Sequence, residues 1–222
     1  MLPTVSTEQR IGAIVGAATA LLTVALAGAF LSSISSGPVG AMDPFASLTN
    51  ERGLTPLQAA TWTVIDAHGI RPKVVWDSGS ITVIRGVFAV LETPTEDYRL
   101  LKVVPLGLLV CAGCLATILS RRFGTDQSTP SPVFGAYISL GYASVLSLLT
   151  WFATVPVTYL TEGDVHIGST VTSAPDVAGV TAGPPIHWAI AVAIAFPIWF
   201  GGFGGVIVAA CSRLRLPDSL RL

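Results

Sequence analysis

Residues 186–212 read IHWAIAVAIAFPIWFGGFGGVIVAACS and contain no Asp, Glu, Lys or Arg. A helix of about 20 apolar residues is long enough to cross the hydrocarbon core of a bilayer, so this stretch predicts a transmembrane helix. Trp188 lies near one end, where aromatic side chains favour the headgroup region, and Arg213 and Arg215 follow the other end. The stretch therefore places the chain among integral membrane proteins.

The composition of the whole chain supports this class. Of its 222 residues, 51% are hydrophobic and only 11% are charged, whereas about 25% of the residues in soluble domains are charged. A formal net charge of −1 gives no indication of nucleic-acid binding or of a general attraction to anionic lipid. The partner that composition predicts is the lipid bilayer.

Three further apolar stretches complete a predicted bundle of four transmembrane helices. The helices are expected at residues 11–34, 99–120, 133–160 and 186–212. For the first of them a cleaved signal peptide is the alternative, because Ala27-Gly28-Ala29 resembles a small-residue cleavage site. The preceding segment has only Arg10 as a basic residue, which favours an uncleaved helix.

The segment between the first two helices, residues 35–98, is too long for a simple connection and predicts a small extracellular α+β cap. Thr55-Pro56-Leu57-Gln58 fits a capping box with proline at the first helical position, which predicts a helix at 56–67. Its residues Leu57, Ala60, Val64, Ile65 and His68 fall on one side, so this helix is expected to lie on the membrane surface or on a sheet. Val74–Trp76 and Ile81–Ile84 flank a turn and predict a hairpin.

The distribution of basic residues predicts the orientation. The N-terminus (1–10), the loop 121–132 and the tail 213–222 are short and hold six Arg beside the helices, whereas the basic residues of the other side are spread over the long cap. The rule that short, basic loops stay inside places both termini in the cytoplasm and the loop 161–185 outside, in a multi-pass protein of the cell membrane. The acidic, Lys-poor exterior is also typical of halophile proteins.

Small residues at fourfold spacing predict the helix-packing faces. They are Gly12 and Gly16 on the first helix, and Gly201, Gly205 and Ala209 on the last. Such residues let helices approach closely in a membrane. Pro197 is expected to kink the last helix. The alternative use of this region is a gate or a solute path lined by Pro197, Ser147, Thr150 and Thr154.

The second and fourth predicted helices also align without gaps at an offset of 92 residues. Pro105 then matches Pro197, Gly113 matches Gly205, and Arg121 matches Arg213. Two explanations fit a similarity this short: duplication of a helix–loop–helix unit, or convergence of two apolar helices.

Candidate metal ligands are few. Glu162, Asp164 and His166 alternate along the chain, and two carboxylates with an imidazole make a weak candidate for a divalent metal site. Cys111 and Cys114 have CxxC spacing but lie in a predicted membrane helix, where cysteine packs as a small apolar residue. No nucleotide-binding or hydrolase motif is present, and no cofactor is expected.

The function that these features favour is non-enzymatic. Small-residue faces predict an assembly, accessory or scaffold subunit that binds another membrane protein or a second copy of itself. The alternative is a small oligomeric transporter or channel for a neutral solute. A metal-dependent membrane enzyme is the third hypothesis.

Overall fold

The computed structural model describes residues 5–35, 55–70, 73–76, 79–82, 96–124, 131–156, 164–167, 170–173 and 181–213. Over these residues the protein is mostly helical. The helices are α1 (Thr7–Ser35), α2 (Pro56–Ala67), α3 (Glu96–Phe123), α4 (Pro132–Ala136), α5 (Ile138–Phe152), α6 (Ile186–Phe196) and α7 (Gly202–Arg213). A π-helical turn, Pro197–Gly201, joins α6 to α7.

Within the described residues, four stretches of helix are long and apolar enough to cross a membrane, as the sequence predicts. They are Thr7–Ser32, Val103–Phe123, Pro132–Phe152 and Ile186–Ser212. The third ends at Phe152 rather than at Leu160, and the short strand β3 (Val155–Pro156) follows it. Proline has no N–H to continue a helix and disfavours the helical conformation of the residue before it, which accounts for the earlier end.

The strands are short. They are β1 (Lys73–Trp76), β2 (Gly79–Thr82), β3, β4 (Asp164–Ile167), β5 (Thr170–Ser173) and β6 (Thr181–Gly183). Antiparallel pairing gives a four-stranded sheet in the order β2-β1-β6-β3 and a separate hairpin of β4 with β5. The pair Val74–Ile81 agrees with the predicted hairpin. However, β1 also pairs with β6 from the second loop, so the structure does not support a separate α+β cap made from residues 35–98.

The chain divides into two compact units. Unit 1 comprises residues 1–21, 106–145 and 191–222, and unit 2 comprises residues 22–105 and 146–190. The largest fully buried apolar side chains of unit 1 are Tyr142, Leu109 and Ile138, and those of unit 2 are Trp62, Ile65, Leu146 and Val64.

Helix α2 begins with the predicted capping box. Backbone N–H of Gln58 donates to Oγ1 of Thr55 over 3.3 Å, and backbone N–H of Thr55 donates to Oε1 of Gln58 over 2.8 Å, which satisfies two N–H groups that the helix leaves unpaired. At the other end Gly69 takes a φ of 84°, which suits glycine. The predicted single buried side is wrong, because every residue from Ala59 to Asp66 is buried while Leu57 is exposed.

Candidate functional site: the glycine-lined helix crossings

Helices α1 and α5 approach until backbone meets backbone. A Cβ atom on Gly16 would overlap the carbonyl oxygen of Ile138, and one on Gly141 would overlap the carbonyl oxygen of Ala13. Each carbonyl oxygen therefore occupies the place where the side chain of a larger residue would begin. Cα–H groups of one helix contact carbonyl oxygens of another in this way at close helix interfaces. Gly12 meets the Cβ of Tyr137 in the same way. Only glycine leaves room for this approach.

A second crossing joins α3, α4, the π-helical turn and α7. The carbonyl oxygen of Gly201 lies where a Cβ of Gly113 or of Gly135 would stand, and a Cβ on Gly204 would overlap the carbonyl oxygen of Val110. A Cβ on Gly205 would lie 3.0 Å from the Cα of Pro132 and 3.1 Å from Oγ1 of Thr117. The Sγ of Cys114 donates to the carbonyl of Gly204 over 3.3 Å. Gly201 thus contacts α3 and α4 at once.

The helix-packing residues predicted from the sequence all lie inside unit 1. Gly12, Gly16, Gly201, Gly205 and Ala209 are buried. The four glycines contact other helices of this same chain. Gly202, by contrast, would meet nothing within 4 Å if it carried a Cβ. Gly113, Gly135, Gly141 and Gly204 were not predicted as packing residues, although glycine in an apolar stretch is itself a signal for close helix packing.

Both crossings join helices that run in the same direction. Along α1, Gly12 meets Tyr137 and Gly16 meets Ile138 and Tyr142, so residue numbers rise together. On α3 and the π turn with α7, Gly113 meets Gly201 and Thr117 meets Gly205, so residue numbers again rise together. The residue that Gly113 contacts is Gly201, not the Gly205 that the gapless sequence alignment matches to it. The contacts therefore give that alignment no support, and duplication stays a hypothesis.

Pro197 is buried at the first position of the π-helical turn. Because proline cannot donate to the carbonyl of Ala193, the regular hydrogen-bond pattern is interrupted there. π-Helical turns are rare and are frequent at functional sites. At Pro197, where the sequence predicts a kink, the structure has a π-helical turn.

Two hydroxyl groups of the third span, those of Ser144 and Thr150, bond to their own helix. Oγ1 of Thr150, which is fully buried, donates to the carbonyl of Leu146 over 2.7 Å, and Oγ of Ser144 donates to that of Leu140 over 2.7 Å. Thr154 is exposed and donates to the carbonyl of Thr150 over 3.4 Å. Ser147 is half-buried. Bonds of this kind satisfy a hydroxyl without a partner helix or a solute.

In unit 2, α2 caps the end of α5. The indole Nε1–H of Trp62 donates to the carbonyl of Ala153 over 2.7 Å, and Nε2 of Gln58 donates to that of Phe152 over 3.0 Å. The last carbonyls of a helix have no partner within the helix, so these side chains supply one. Neither contact was predicted from the sequence, because nothing local to Trp62 identifies a partner 91 residues away.

His68 is a buried titratable group at the end of α2. Its exposed fraction is 5%, and Nδ1 donates to the carbonyl of Val64 over 2.7 Å. Burial lowers the pKa of His68 below its ordinary value of 6.5, while the bond to Val64 opposes the shift. A histidine with a lowered pKa in the folded state stays neutral where the unfolded chain takes up a proton.

We expect stability to fall below pH 6.5 because of His68. Above that pH both states are neutral at this residue. Below it the unfolded state binds the proton first, so the free energy of unfolding decreases as the pH falls towards the lower pKa of the folded state. Thermal unfolding in detergent between pH 7.5 and 5.5 measures this, and the His68→Gln variant should show a smaller decrease. Equal decreases in both proteins would contradict the assignment, and His187→Gln, at an exposed histidine, is the control.

The predicted metal ligands are only partly within the described residues. Glu162 lies outside them, and Asp164 and His166 belong to β4. In the part of the chain that the structure describes, no three His, Cys, Asp or Glu side chains come together to hold a metal. Cys111, Cys114 and Cys211 are free thiols. The metal site stays a prediction.

Comparison with known proteins assigns a family without a known activity. No curated protein and no solved structure matches the chain. A family model described as "Family of unknown function (DUF7978)" matches residues 3–212. Since the match covers nearly all of the 222 residues, the chain, with its four apolar helices, belongs to this family of unknown function.

Proposed function

We propose that the protein is a non-enzymatic integral membrane protein that acts as an assembly, accessory or scaffold subunit. The observation that carries this proposal is the closure of the spans on one another through backbone contacts at Gly16, Gly141, Gly113 and Gly201. Helices in such contact leave no space between them for a solute at these positions.

The chemistry of the spans favours the same role. Charged groups inside a membrane mark ion and proton pathways, and the interiors of the four spans contain no Asp, Glu, Lys, Arg or His. The hydroxyls of Thr150, Ser144 and Thr117 donate to carbonyls of their own helices. Neither proton coupling nor hydrogen bonding to a solute is favoured by this arrangement.

The glycine faces are not the surface that meets a partner. Gly12, Gly16, Gly201 and Gly205 are each covered by a helix of the same chain. Their role is therefore to build the bundle, and the other membrane protein in our proposal has to contact the protein elsewhere.

Native mass spectrometry of the protein, purified in mild detergent from its own membrane, tests the proposal. A stoichiometric foreign partner is the expected result and identifies the process that the protein serves. A chain that is alone or bound only to its own copies contradicts the accessory role. That outcome directs attention to the second candidate and to solute flux in liposomes.

The second candidate is a small oligomeric transporter or channel for a neutral solute. The π-helical turn at Pro197–Gly201 favours it, because such turns recur at functional sites. The turn lies in the span Ile186–Ser212 and includes the buried Pro197 and Gly201. The closed glycine crossings make this candidate weaker than the first.

We further propose the cell membrane as the location, with both termini in the cytoplasm. The short segments beside Arg10, Arg121, Arg122 and Arg213 support this orientation. A chain whose natural cysteines are replaced by alanine tests it. A membrane-impermeant maleimide added to intact cells should label the Ser169→Cys variant but not the Ser128→Cys variant, and the reverse result contradicts the orientation.

A further inference from the structure

Large apolar side chains of unit 2 are exposed near the ends of two spans. Trp151 and Phe152 form the end of α5 and are 66% and 63% exposed, and Trp188 in the first turn of α6 is 57% exposed. Leu57 in the first turn of α2 is 53% exposed. We call Trp151, Phe152, Trp188 and Leu57 the aromatic rim.

The position of the rim indicates the layer of a bilayer that it fits. Pro132–Phe152 is a span of 21 residues, or about 30 Å of helix, which equals the thickness of the hydrocarbon core. Trp151 and Phe152 therefore lie at its boundary, and Trp188 lies at the corresponding end of Ile186–Ser212. Tryptophan favours this boundary because one edge of the indole is apolar and its N–H binds water or headgroups.

Helix α2 is attached to the same boundary. Its Gln58 side chain donates to the carbonyl of Phe152 over 3.0 Å, and Trp62 donates to that of Ala153 over 2.7 Å. The first turn of α2, including the exposed Leu57, thus lies beside the end of α5. A leucine that is half exposed next to two exposed aromatic residues fits lipid better than water.

We propose that the aromatic rim is a lipid-binding surface that sits in the interfacial layer of the bilayer, and that the first turn of α2 lies in this layer rather than in an aqueous cap. The inference rests on the membrane placement in the proposed function. The inference adds two points to the proposed function: the depth at which the protein lies in the bilayer, and contact with lipid by α2, a helix outside the four spans.

Fluorescence quenching by lipid-attached nitroxides tests the depth. The natural protein is reconstituted in vesicles of zwitterionic lipid that carry the nitroxide either near the headgroup or near the end of the acyl chain. Three variants are measured in the same way: Trp151→Phe, Trp188→Phe and Trp199→Phe. The difference in quenching between the natural protein and a variant gives the quenching of the indole that was replaced. Trp199 is the internal standard, because it is 77% exposed and lies near the middle of Ile186–Ser212.

We expect Trp151→Phe and Trp188→Phe to lose mainly the quenching by the shallow nitroxide, and Trp199→Phe to lose mainly the quenching by the deep one. If Trp151→Phe and Trp188→Phe lose only the quenching by the deep nitroxide, or lose no quenching, the proposed position of the aromatic rim is wrong. If Trp199→Phe loses deep quenching in the same experiment, the placement of the spans in the membrane still holds. If neither nitroxide quenches Trp151, Trp188 or Trp199, both the aromatic rim and the membrane placement are wrong.

A Leu57→Trp variant tests the position of α2. Shallow nitroxide should quench the added indole, since Leu57 lies beside Phe152 in our proposal. If the added indole is quenched by aqueous iodide and by neither nitroxide, the first turn of α2 is in water and this part of the proposal is wrong. Trp62 adds little to either signal, because it is only 2% exposed.

Discussion

Replacing Gly201 by alanine is expected to lower the free energy of unfolding by about 1–3 kcal/mol, the cost of forcing extra atoms into a packed interior. The added Cβ would lie 2.5 Å from the carbonyl oxygen of Gly135 and 2.5 Å from Cδ1 of Ile138. The Ile138 side chain is fully buried and the Gly135 oxygen is part of the backbone, so neither contact is easily relieved. Thermal unfolding in detergent, followed by circular dichroism, measures the effect.

The neighbouring glycine is a matched control. A Cβ on Gly202 meets nothing within 4 Å, and alanine in a helix is favoured over glycine by about 0.5–1 kcal/mol. Gly202→Ala should therefore unfold at the temperature of the natural protein or slightly above it. If Gly201→Ala unfolds together with Gly202→Ala, the crossing at Gly201 does not have the tight packing described above.

Replacing Trp62 by phenylalanine is expected to cost about 1–3 kcal/mol, because a buried carbonyl loses its hydrogen-bond donor. The donor is the indole Nε1–H, 2.7 Å from the carbonyl oxygen of Ala153. Trp62 is 2% exposed and Ala153 is 1% exposed, so water does not readily replace the bond. Phenylalanine keeps an apolar ring at the position, but the ring is smaller than the indole, so lost packing adds to the loss of the hydrogen bond.

The matched control is Trp199→Phe. Trp199 is 77% exposed, so the same change of side chain there should alter stability by less than about 0.5 kcal/mol. Both variants are compared with the natural protein by thermal unfolding in the same detergent. Equal unfolding temperatures for Trp62→Phe and Trp199→Phe would show that the bond to Ala153 does not stabilise α2 on α5.

Local signals predicted the helices well. Charge-free stretches gave four spans because the length of an apolar run alone decides whether a helix can cross a bilayer. The capping box at Thr55-Pro56-Leu57-Gln58 gave the start of α2, since its hydrogen bonds join residues three apart. The third span ends at Phe152 and not at the expected Leu160. The expected end was taken from the charge-free stretch alone, which does not register that Pro156 disfavours a helix.

Contacts between distant segments were predicted only in part. Glycine spacing identified Gly12, Gly16, Gly201 and Gly205 as residues of packing faces. It did not give their partners in α3, α4 and α5, because any helix without bulky side chains satisfies the same pattern. The pairing of β1 with β6 likewise depends on how two loops meet, which no hydropathy pattern in either loop records.

By itself, the sequence determined the class of the protein, the number of its spans and the local structure of α2, because hydropathy and capping act over one helix at a time. Only the tertiary structure decided that Gly201 contacts Gly113 and Gly135, and that Trp62 and Gln58 of α2 cap α5. These contacts join residues far apart in the chain, and their geometry follows from the packing of whole helices. In the packed structure the glycine faces are buried between helices, whereas the side chains of the aromatic rim are exposed.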